Sequence, residues 1–199
     1  MKKRLAIFDF DGTLFDTVPA NAAAYASALA KHGVQLDEEY FAVHCNGRYY
    51  RDFLPPLLGG DETLIQQVHR DKIACFSSFY HLVRENRPLF ALLEALQPSY
   101  HIALVSTASR QGVMEILQKF GRLPLFELIL TQQDVPQKKP APDGFLAAMA
   151  HFDVCAADTI VFEDSPEGIE AAHRAGAQCF AVPRIEAVQF SAADRQNEI

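Results

Sequence analysis

The chain has 199 residues, of which 49% are hydrophobic and 22% are charged, and its formal net charge is -7. This length is enough for one well-buried core and a smaller module, and the composition is that of an ordinary globular protein. The acidic balance argues against a nucleic-acid partner, because such proteins usually carry a basic face. No apolar stretch approaches the length that spans a bilayer, so no membrane partner is expected either.

The cysteines indicate a reducing compartment. They are Cys45, Cys75, Cys155 and Cys179, and no pair has the spacing of a metal or redox site. The basic residues at the start of the chain precede an apolar run that meets Asp9 too soon for a signal peptide. We therefore expect a cytoplasmic location with reduced thiols. We also expect a monomer or a weak homodimer.

Short apolar runs alternate with helical patterns along most of the chain. The runs predict strands at Leu5 to Asp9, Ile102 to Ser106, Leu128 to Thr131, Thr159 to Glu163 and Gln178 to Val182. Ser109, Asp143 and Ser165 are placed to cap helices between these strands. The alternation predicts an α/β fold, in which a mainly parallel sheet has helices on both faces.

A long helical segment breaks this alternation. One helix is predicted to begin at Thr17 with Pro19, and helical patterns continue around residues 38–43, 51–58 and 62–82 without a convincing strand. We therefore predict an all-helical cap over residues 16–87, inserted into a core formed by residues 1–15 and 88–199. Arg87-Pro88 is the predicted return hinge, and the polar tail from Ile185 is expected to fray.

Reactive side chains follow three of the predicted strands. In chain order they are Asp9 and Asp11, Ser106 and Thr107, and Glu163 and Asp164. The carboxyl ends of parallel strands share one edge of a sheet, so these groups are expected to converge there. Two carboxylates ~4 Å apart repel by about 4 kcal/mol at an effective dielectric of 20, so such a cluster needs protons or a bound cation. Ligands that are all oxygen atoms suit a hard ion such as Mg²⁺.

A lysine follows the third predicted strand. Lys139 precedes Pro140, which favours an extended backbone at the lysine, and its ammonium could neutralise the acids and bind a phosphoryl oxygen. Each feature alone has an ordinary explanation, such as an Asp-Gly turn, a solvated basic loop or the acidic first turn of a helix. Their joint order favours one site: acids, hydroxyl, Lys-Pro and acids again, each after its own strand.

This ordered set resembles the four motifs of the haloacid dehalogenase superfamily. The motifs are Asp9-x-Asp11-Gly12-Thr13, Ser106 after an apolar strand, Lys139-Pro140-x-Pro142-Asp143 and Glu163-Asp164-Ser165. The similarity runs from Ile7 to about Val182. It implies a Rossmann-like parallel sheet of five main strands in the order 5-4-1-2-3. The helical insert resembles the cap that subfamily I carries at this place.

The resemblance also implies a Mg²⁺-dependent phosphatase. Asp9 would be the nucleophile that forms an aspartyl-phosphate, and Asp11 the general acid and base. The implied phosphate-binding residues are Gly12, Thr13, Ser106, Thr107 and Lys139. The implied metal ligands are Asp9, Asp11, Asp164 and Glu163, the last directly or through water. Because an ester oxygen needs a proton to leave and a halide does not, Asp11 favours phosphate esters over carbon–halogen cleavage.

Cap residues are candidates for substrate contact. Arg48 and Arg51 lie in a segment that resembles the Gly-plus-Arg loop facing the site in similar capped enzymes. A surface arginine paired with Asp52 is an equally good explanation, and Lys72 is a weaker candidate.

Asn21 is a further candidate at the junction of core and cap. The beta-phosphoglucomutase branch, which this chain resembles overall, usually carries a histidine near this position. This chain has Asn21 there, and the lack of the histidine disfavours a mutase function. The expected substrate is therefore a small phosphomonoester, a sugar phosphate or a related metabolite. A phosphosugar mutase and a non-catalytic phosphate sensor on the same fold remain open.

Overall fold

The computed structural model describes residues 2–45 and 48–183. In chain order the strands are β1 (Arg4–Phe8), β2 (Phe15–Asp16), β3 (Arg84–Glu85), β4 (Tyr100–Val105), β5 (Leu128–Leu130), β6 (Thr159–Glu163) and β7 (Gln178–Ala181). The helices are α1 (Val18–Ala30), α2 (Glu38–His44), α3 (Tyr50–Leu57), α4 (Glu62–Cys75), α5 (Arg87–Leu96), α6 (Arg110–Lys119), α7 (Asp143–Phe152) and α8 (Pro166–Arg174). Short 3-10 helices cover Phe76–Leu82, Leu123–Leu125 and Ala156–Asp158.

Five strands form one sheet in the order β5-β4-β1-β6-β7, and every pairing in it is parallel. When these strands are counted along the chain, the order from the β7 edge reads 5-4-1-2-3, which confirms the predicted sheet. Strand β1 is central, because its Ile7 is in register with Ala103 of β4 and with Val161 of β6. The carboxyl ends of β1, β4 and β6 therefore lie side by side.

Successive side chains of β1 point to opposite faces of the sheet, and helices cover both faces. Leu5 and Ile7 pack into an apolar cluster with residues of α7 and α8. Ala6 and Phe8 point the other way, into a cluster with residues of α5 and α6. All four side chains are fully buried, and burying a large apolar side chain contributes about 1.5–3 kcal/mol. This packing fixes the strand ends that carry the polar residues.

The helices between β2 and β3 enclose an apolar cluster of their own. Its buried members include Ala22, Tyr25, Phe41, Phe53, Leu54, Ile65 and Val68, from α1 to α4. Tyr25 and Phe53 meet edge to face with ring centroids 5.1 Å apart, a favourable aromatic geometry. On this basis we propose that residues 16–87 form a cap domain distinct from a core of residues 1–15 and 88–199.

The connection between residues 16–87 and the rest of the chain differs from the one predicted from the sequence. Strands β2 and β3 pair antiparallel, with Phe15 opposite Glu85 and Asp16 opposite Arg84. Two-residue strands are too short to leave a periodic pattern, so this ribbon was not predicted from the sequence. Arg87-Pro88, the predicted hinge, instead begins α5, where the Asn86 side chain accepts a hydrogen bond from the Leu89 N–H at 3.2 Å.

Of the three predicted helix caps, two are confirmed and one is wrong. Ser109 and Ser165 each accept a hydrogen bond from the third residue of the following helix. The predicted start of a helix at Thr17 is confirmed, since α1 begins directly after it, and the Thr17 hydroxyl donates to Asp11. Asp143 is the first residue of α7 rather than its cap, and Pro142 precedes it.

Within the described ranges, none of the helices combines the length and the apolar character needed to cross a bilayer. The four cysteines are free thiols. Gly47 of the predicted substrate loop and the tail from Ile185 lie outside the described residues.

Candidate active site

Lys139 joins the ends of three neighbouring strands. Its Nζ lies 2.5 Å from Asp9 Oδ1 and 2.8 Å from Glu163 Oε1. It also donates to the carbonyl oxygen of Val105 at 3.0 Å. Asp9 follows β1, Val105 ends β4 and Glu163 ends β6. One ammonium group thus connects residues that are far apart in the sequence, at the edge of the sheet where the sequence places them.

This ion-pair group is buried and carries excess negative charge. The side chains of Lys139, Asp9 and Glu163 are 7%, 9% and 1% exposed. Burial raises the pKa of Asp9 well above its ordinary value of 3.8; Lys139 opposes this shift, and the charges of Glu163 and Asp11 add to it. Burial would lower the pKa of Lys139, but the charges of Asp9 and Glu163 outweigh it and leave that pKa raised. A second cation or a proton is therefore needed for neutrality.

Three carboxylates are close enough to hold such a cation. Asp9, Glu163 and Asp164 each offer an oxygen, and these atoms lie within 4.8 Å of one another. This donor set of oxygen atoms fits a hard divalent cation. Both Glu163 oxygens are already engaged, because Oε1 accepts from Lys139 and Oε2 accepts from the Ser165 N–H and hydroxyl at 2.7 and 2.9 Å. Glu163 thus positions Lys139, while Asp9 and Asp164 each have one oxygen engaged, by Lys139 and by Thr13.

The Asp164 side chain lies close to the backbone of the loop after β1. Gly12 has φ +94°, and a Cβ there would lie 2.3 Å from Asp164 Oδ2. Only glycine both adopts this positive φ without strain and leaves room for the Asp164 carboxylate. The Thr13 hydroxyl donates to Asp164 Oδ1 at 2.9 Å, and the Gly12 N–H donates to the carbonyl oxygen of Phe15 at 2.7 Å. The structure thus gives Gly12 and Thr13 a role in holding Asp164, and their contact with phosphate stays a prediction.

Asp11 is held by Thr17, which the sequence analysis placed only at the start of a helix. The Thr17 hydroxyl donates to Asp11 Oδ1. Asp11 keeps exposed surface, yet the protein around its carboxyl group withdraws enough water to raise its pKa, against the hydrogen bond from Thr17 and the charges of Lys72 and Lys139. Nothing in the local sequence indicates this contact, so the role of Thr17 beside Asp11 was missed.

The predicted phosphate-binding residues from two loops border the same shallow pocket. Ser106, Thr107 and Lys139 line it together. Ser106 is buried, and its hydroxyl oxygen accepts from the Ala108 N–H at 3.0 Å, which leaves the hydroxyl proton available to a ligand. Thr107 is exposed at the rim. The pocket therefore places the free donor of Ser106 beside the charge of Lys139, whose three N–H groups already donate to Asp9, Val105 and Glu163.

The cap arginines are not brought to the acids. Arg51 pairs with Glu62 at 2.9 Å on the surface of the cap, so neither a site contact nor the alternative pairing with Asp52 is observed. Arg48 is exposed. The Asn21 side-chain amide donates to the carbonyl oxygen of Thr17 at 3.2 Å, within its own helix. Substrate contacts by these residues remain predictions.

Lys72 is a lysine of α4 whose charge acts on Asp11. Burial lowers the pKa of Lys72 to about 8 against the attraction of Asp11, and the Lys72 charge in turn opposes the rise in the pKa of Asp11. Sequence reasoning ranked it below the arginines. A signal was present, because Ile65 and Val68 are buried on α4 and Lys72 continues their helical spacing. A lysine on the apolar stripe of an amphipathic helix faces protein rather than solvent.

The Glu163 carboxylate occupies space that is open only because Gly168 has no side chain. A Cβ at Gly168 would lie 1.7 Å from Glu163 Oε1, closer than any real contact. We expect Gly168→Ala to lower the free energy of unfolding by about 1–3 kcal/mol, because the buried carboxylate must move away from Lys139. Urea unfolding monitored by circular dichroism measures this change.

Gly112 provides a matched control for that experiment. It is also the third residue of a helix, and its N–H likewise donates to a capping serine, Ser109. A Cβ there would lie 3.3 Å from the Ser109 hydroxyl oxygen, a small overlap that alanine's better helix propensity offsets. Gly112→Ala should therefore change stability by less than about 1 kcal/mol. Equal effects of the two substitutions would show that Gly168 has no special relation to Glu163.

Comparisons with known proteins point to one family. A family model described as haloacid dehalogenase-like hydrolase matches residues 6–182. The phosphorylated carbohydrates phosphatase of Thermotoga maritima is 29% identical over 177 residues, which cover 85% of this chain and 80% of that protein. The phosphoglycolate phosphatase of Thiobacillus denitrificans is 29% identical over 192 residues, covering 90% and 83%. The crystal structure of CbbY from Rhodobacter sphaeroides in complex with phosphate matches with a TM-score of 0.78 at 25% identity, covering 96% of this chain and 92% of that chain.

Proposed function

The chain belongs to the haloacid dehalogenase-like hydrolases and is a phosphoric monoester hydrolase, and we propose that it dephosphorylates a small metabolite through an aspartyl-phosphate at Asp9. The substrate class is a sugar phosphate or a related compound. The observation that carries the proposal is the contact of Lys139 with both Asp9 and Glu163 at the end of the sheet. The names of relatives, which include phosphatases of phosphorylated carbohydrates and of phosphoglycolate, support it.

Asp9 has the position of a nucleophile. Its carboxylate oxygen attacks phosphorus, the bond from phosphorus to the ester oxygen breaks, and the leaving oxygen takes a proton from Asp11. Water then attacks phosphorus of the aspartyl-phosphate and loses its proton to Asp11, which regenerates the Asp9 carboxylate and releases phosphate. The raised pKa of Asp11 supports this acid and base role, because the group holds its proton at higher pH than an ordinary carboxyl.

Lys139 and Ser106 bind the transferring group. Lys139 is already within 2.5 Å of Asp9 Oδ1, so its charge lies beside the position where negative oxygens of the phosphoryl group arrive. Glu163 fixes the direction of that ammonium. Ser106 borders the same pocket and donates a neutral hydrogen bond. Because these groups are already in position, the site need not reorganise when the phosphoryl group is transferred. Phosphoryl transfer depends mainly on such positioning and on electrostatic stabilisation.

Mg²⁺ is the cation that we propose for the acids. Asp9, Asp164 and the main-chain carbonyl of Asp11 would hold it, and Glu163 would act through water, since its oxygens are engaged. When bound, Mg²⁺ supplies positive charge opposite the phosphoryl oxygens.

Mg²⁺ should stabilise the folded protein, and more so at higher pH. Because burial raises the pKa of Asp9 above 3.8, the folded state retains a proton there that the unfolded state has lost, and stability falls as pH rises through this window. Mg²⁺ must replace that proton, so the rise in melting temperature should be larger at pH 8 than at pH 5. At a Mg²⁺ concentration 100 times its Kd, binding adds about 2.7 kcal/mol.

Differential scanning fluorimetry with and without Mg²⁺ measures this shift. Asp164→Asn should abolish most of it, whereas Asp52→Asn, on the exposed surface of the cap, should leave it intact. A shift that is absent at pH 8, or that survives Asp164→Asn unchanged, contradicts the assigned metal site.

Asp11→Asn should affect esters according to their leaving groups. The value of kcat/KM reports the steps up to phosphorylation of the enzyme, in which Asp11 protonates the leaving oxygen. We expect a loss of about 100-fold or more with glycerol phosphate, whose alkoxide needs that proton, and less than about 10-fold with 4-nitrophenyl phosphate. Equal losses with both esters would remove the acid role from Asp11.

A panel of phosphomonoesters with Mg²⁺ tests the proposal as a whole. We expect phosphate release from 4-nitrophenyl phosphate and faster release from at least one sugar phosphate or related metabolite. Conversion of a hexose phosphate to its isomer, dependent on a bisphosphate activator, would instead identify a mutase. Tight binding without turnover on any ester would identify a sensor and overturn the proposal.

A further inference from the structure

Lys139 also contacts an aromatic ring of α7. Its Nζ lies over the Phe145 ring, 5.1 Å from the ring centroid. An ammonium group within about 6 Å of a centroid is attracted by the negative face of the ring, most strongly where both groups are shielded from water. Both are shielded here, since the Lys139 side chain is 7% exposed and Phe145 is 1% exposed. The ring is therefore a fourth partner of the ammonium, besides Asp9, Glu163 and the Val105 carbonyl.

Packing holds the Phe145 ring in one place. The ring belongs to the apolar cluster that covers one face of the sheet, together with Leu5 and Ile7 of β1. The residue before it is also tightly packed, because a Cβ at Gly144 would lie 2.6 Å from Val105 Cγ1. The first turn of α7 thus lies directly against the end of β4. The position of the ring is therefore set by the same packing that sets the strand ends.

The ring contact uses none of the N–H groups of Lys139. Those groups donate to Asp9 Oδ1, Glu163 Oε1 and the carbonyl oxygen of Val105, and a lysine has no fourth donor. A phosphoryl oxygen can therefore accept from Lys139 only if it replaces one of these acceptors. The Val105 carbonyl has no formal charge, so it attracts the ammonium less than either carboxylate does and is the acceptor most easily replaced. The contact with the ring persists through this exchange.

We propose that Phe145 is a positioning residue, whose ring keeps the Lys139 ammonium in place while one N–H turns from Val105 to the phosphoryl group. This inference rests on the proposed phosphatase function and adds a residue to its mechanism. An aliphatic side chain at the same position would fill the cluster without attracting the ammonium. The charge would then shift toward Glu163 as the bond to Val105 breaks. Because the charge must face the phosphoryl oxygens in the transition state, this shift lowers kcat.

Graded fluorination of the ring tests this role. Each fluorine withdraws electron density from the ring face and weakens its attraction for a cation, while the ring nearly keeps its shape. Mono-, di- and trifluorinated phenylalanine are placed at Phe145, and turnover of 4-nitrophenyl phosphate is measured with Mg²⁺. We expect kcat to fall with each fluorine, by about 10-fold over the series, and KM to change by less than about 3-fold. Such a split between kcat and KM indicates an interaction made in the transition state.

Phe145→Leu supplies a second test without fluorine, because it removes the ring and keeps an apolar side chain in the cluster. It should lower kcat by about 10-fold or more, again with little change in KM. Phe53 provides the matched control for the fluorinated series. It is a buried ring of the cap that meets the rings of Tyr25 and Phe41. Fluorination of Phe53 should leave kcat unchanged, and thermal unfolding of each variant checks that it is folded.

The outcomes separate this role from the phosphatase function. If the enzyme hydrolyses 4-nitrophenyl phosphate and kcat does not follow the number of fluorines at Phe145, the positioning role is overturned and the phosphatase function stands. The same holds if fluorination of Phe53 lowers kcat equally, or if the loss appears in KM rather than in kcat. An enzyme that hydrolyses no ester would overturn the phosphatase function, and this inference with it.

Discussion

Asp9→Asn is expected to reduce turnover of 4-nitrophenyl phosphate by about 10⁴-fold or more, because the amide cannot form the aspartyl-phosphate. Asparagine has nearly the same shape as aspartate, and Lys139 keeps its ion pair with Glu163 at 2.8 Å. The variant should therefore fold, and one negative charge fewer relieves the repulsion in the cluster. Phosphate release with Mg²⁺ at saturating ester measures the loss.

Thermal unfolding provides the control for that variant. A melting temperature close to that of the wild type, together with lost turnover, assigns the effect to chemistry rather than to folding. Activity within tenfold of the wild type would remove Asp9 from the role of nucleophile and direct attention to Asp11.

Lys139→Met is expected to cause the second large effect, on stability as well as on turnover. It leaves Asp9 and Glu163 as two buried carboxylates without their shared cation. Removing one partner of a buried ion pair lowers stability by about 3–5 kcal/mol. For a chain of this size the melting temperature should fall on the order of 10 °C at pH 7.

The loss of stability in Lys139→Met should depend on pH. Without the ammonium, the pKa of Asp9 rises further, because burial and the charge of Glu163 raise it and Lys139 no longer opposes them. The folded state then binds protons more tightly than the unfolded state does, so the variant should recover stability as the pH falls toward 5. Urea unfolding at pH 5 and at pH 8 measures this recovery.

Lys138→Met is the matched control. Lys138 is the adjacent lysine, is exposed, and contacts Gln132 and the Tyr49 ring rather than the acids. Its replacement should change stability by less than about 1 kcal/mol. A Lys139→Met variant as stable as Lys138→Met at every pH would mean that the buried ion pairs do not form in solution.

The sheet and the convergence of the acids were predictable because each depends on local sequence. Apolar runs such as Leu5 to Phe8 are short and bounded, and they become parallel strands whose ends share one edge. Once the ends are together, residues that directly follow them must also be together. The prediction therefore placed Asp9 and Glu163 at one edge of the sheet, whereas Lys139, in the loop well after β5, was added from the order of the features and the family resemblance.

The orientation of the cap residues was not predictable in the same way. Arg51 and Lys72 are cationic residues of α3 and α4, and the packing of each helix against its neighbours decides what each side chain contacts. Arg51 pairs with Glu62 on the surface, whereas Lys72 stands against Tyr25 of α1. The role of Thr17 likewise depends on the turn of the chain between Asp11 and α1. Such contacts arise from tertiary structure and leave only weak local signals.

Trapping the phosphorylated enzyme tests the central claim most directly. Asp11→Asn should slow the loss of phosphate from the intermediate, so acid quenching after addition of a ³²P-labelled ester and Mg²⁺ should capture it. Tryptic digestion releases residues 5–31 as one peptide, since no lysine or arginine lies between Arg4 and Lys31. The account predicts label on this peptide, at Asp9 by fragmentation, and its removal by hydroxylamine. Label on another peptide, or released phosphate with an unlabelled enzyme, would contradict it.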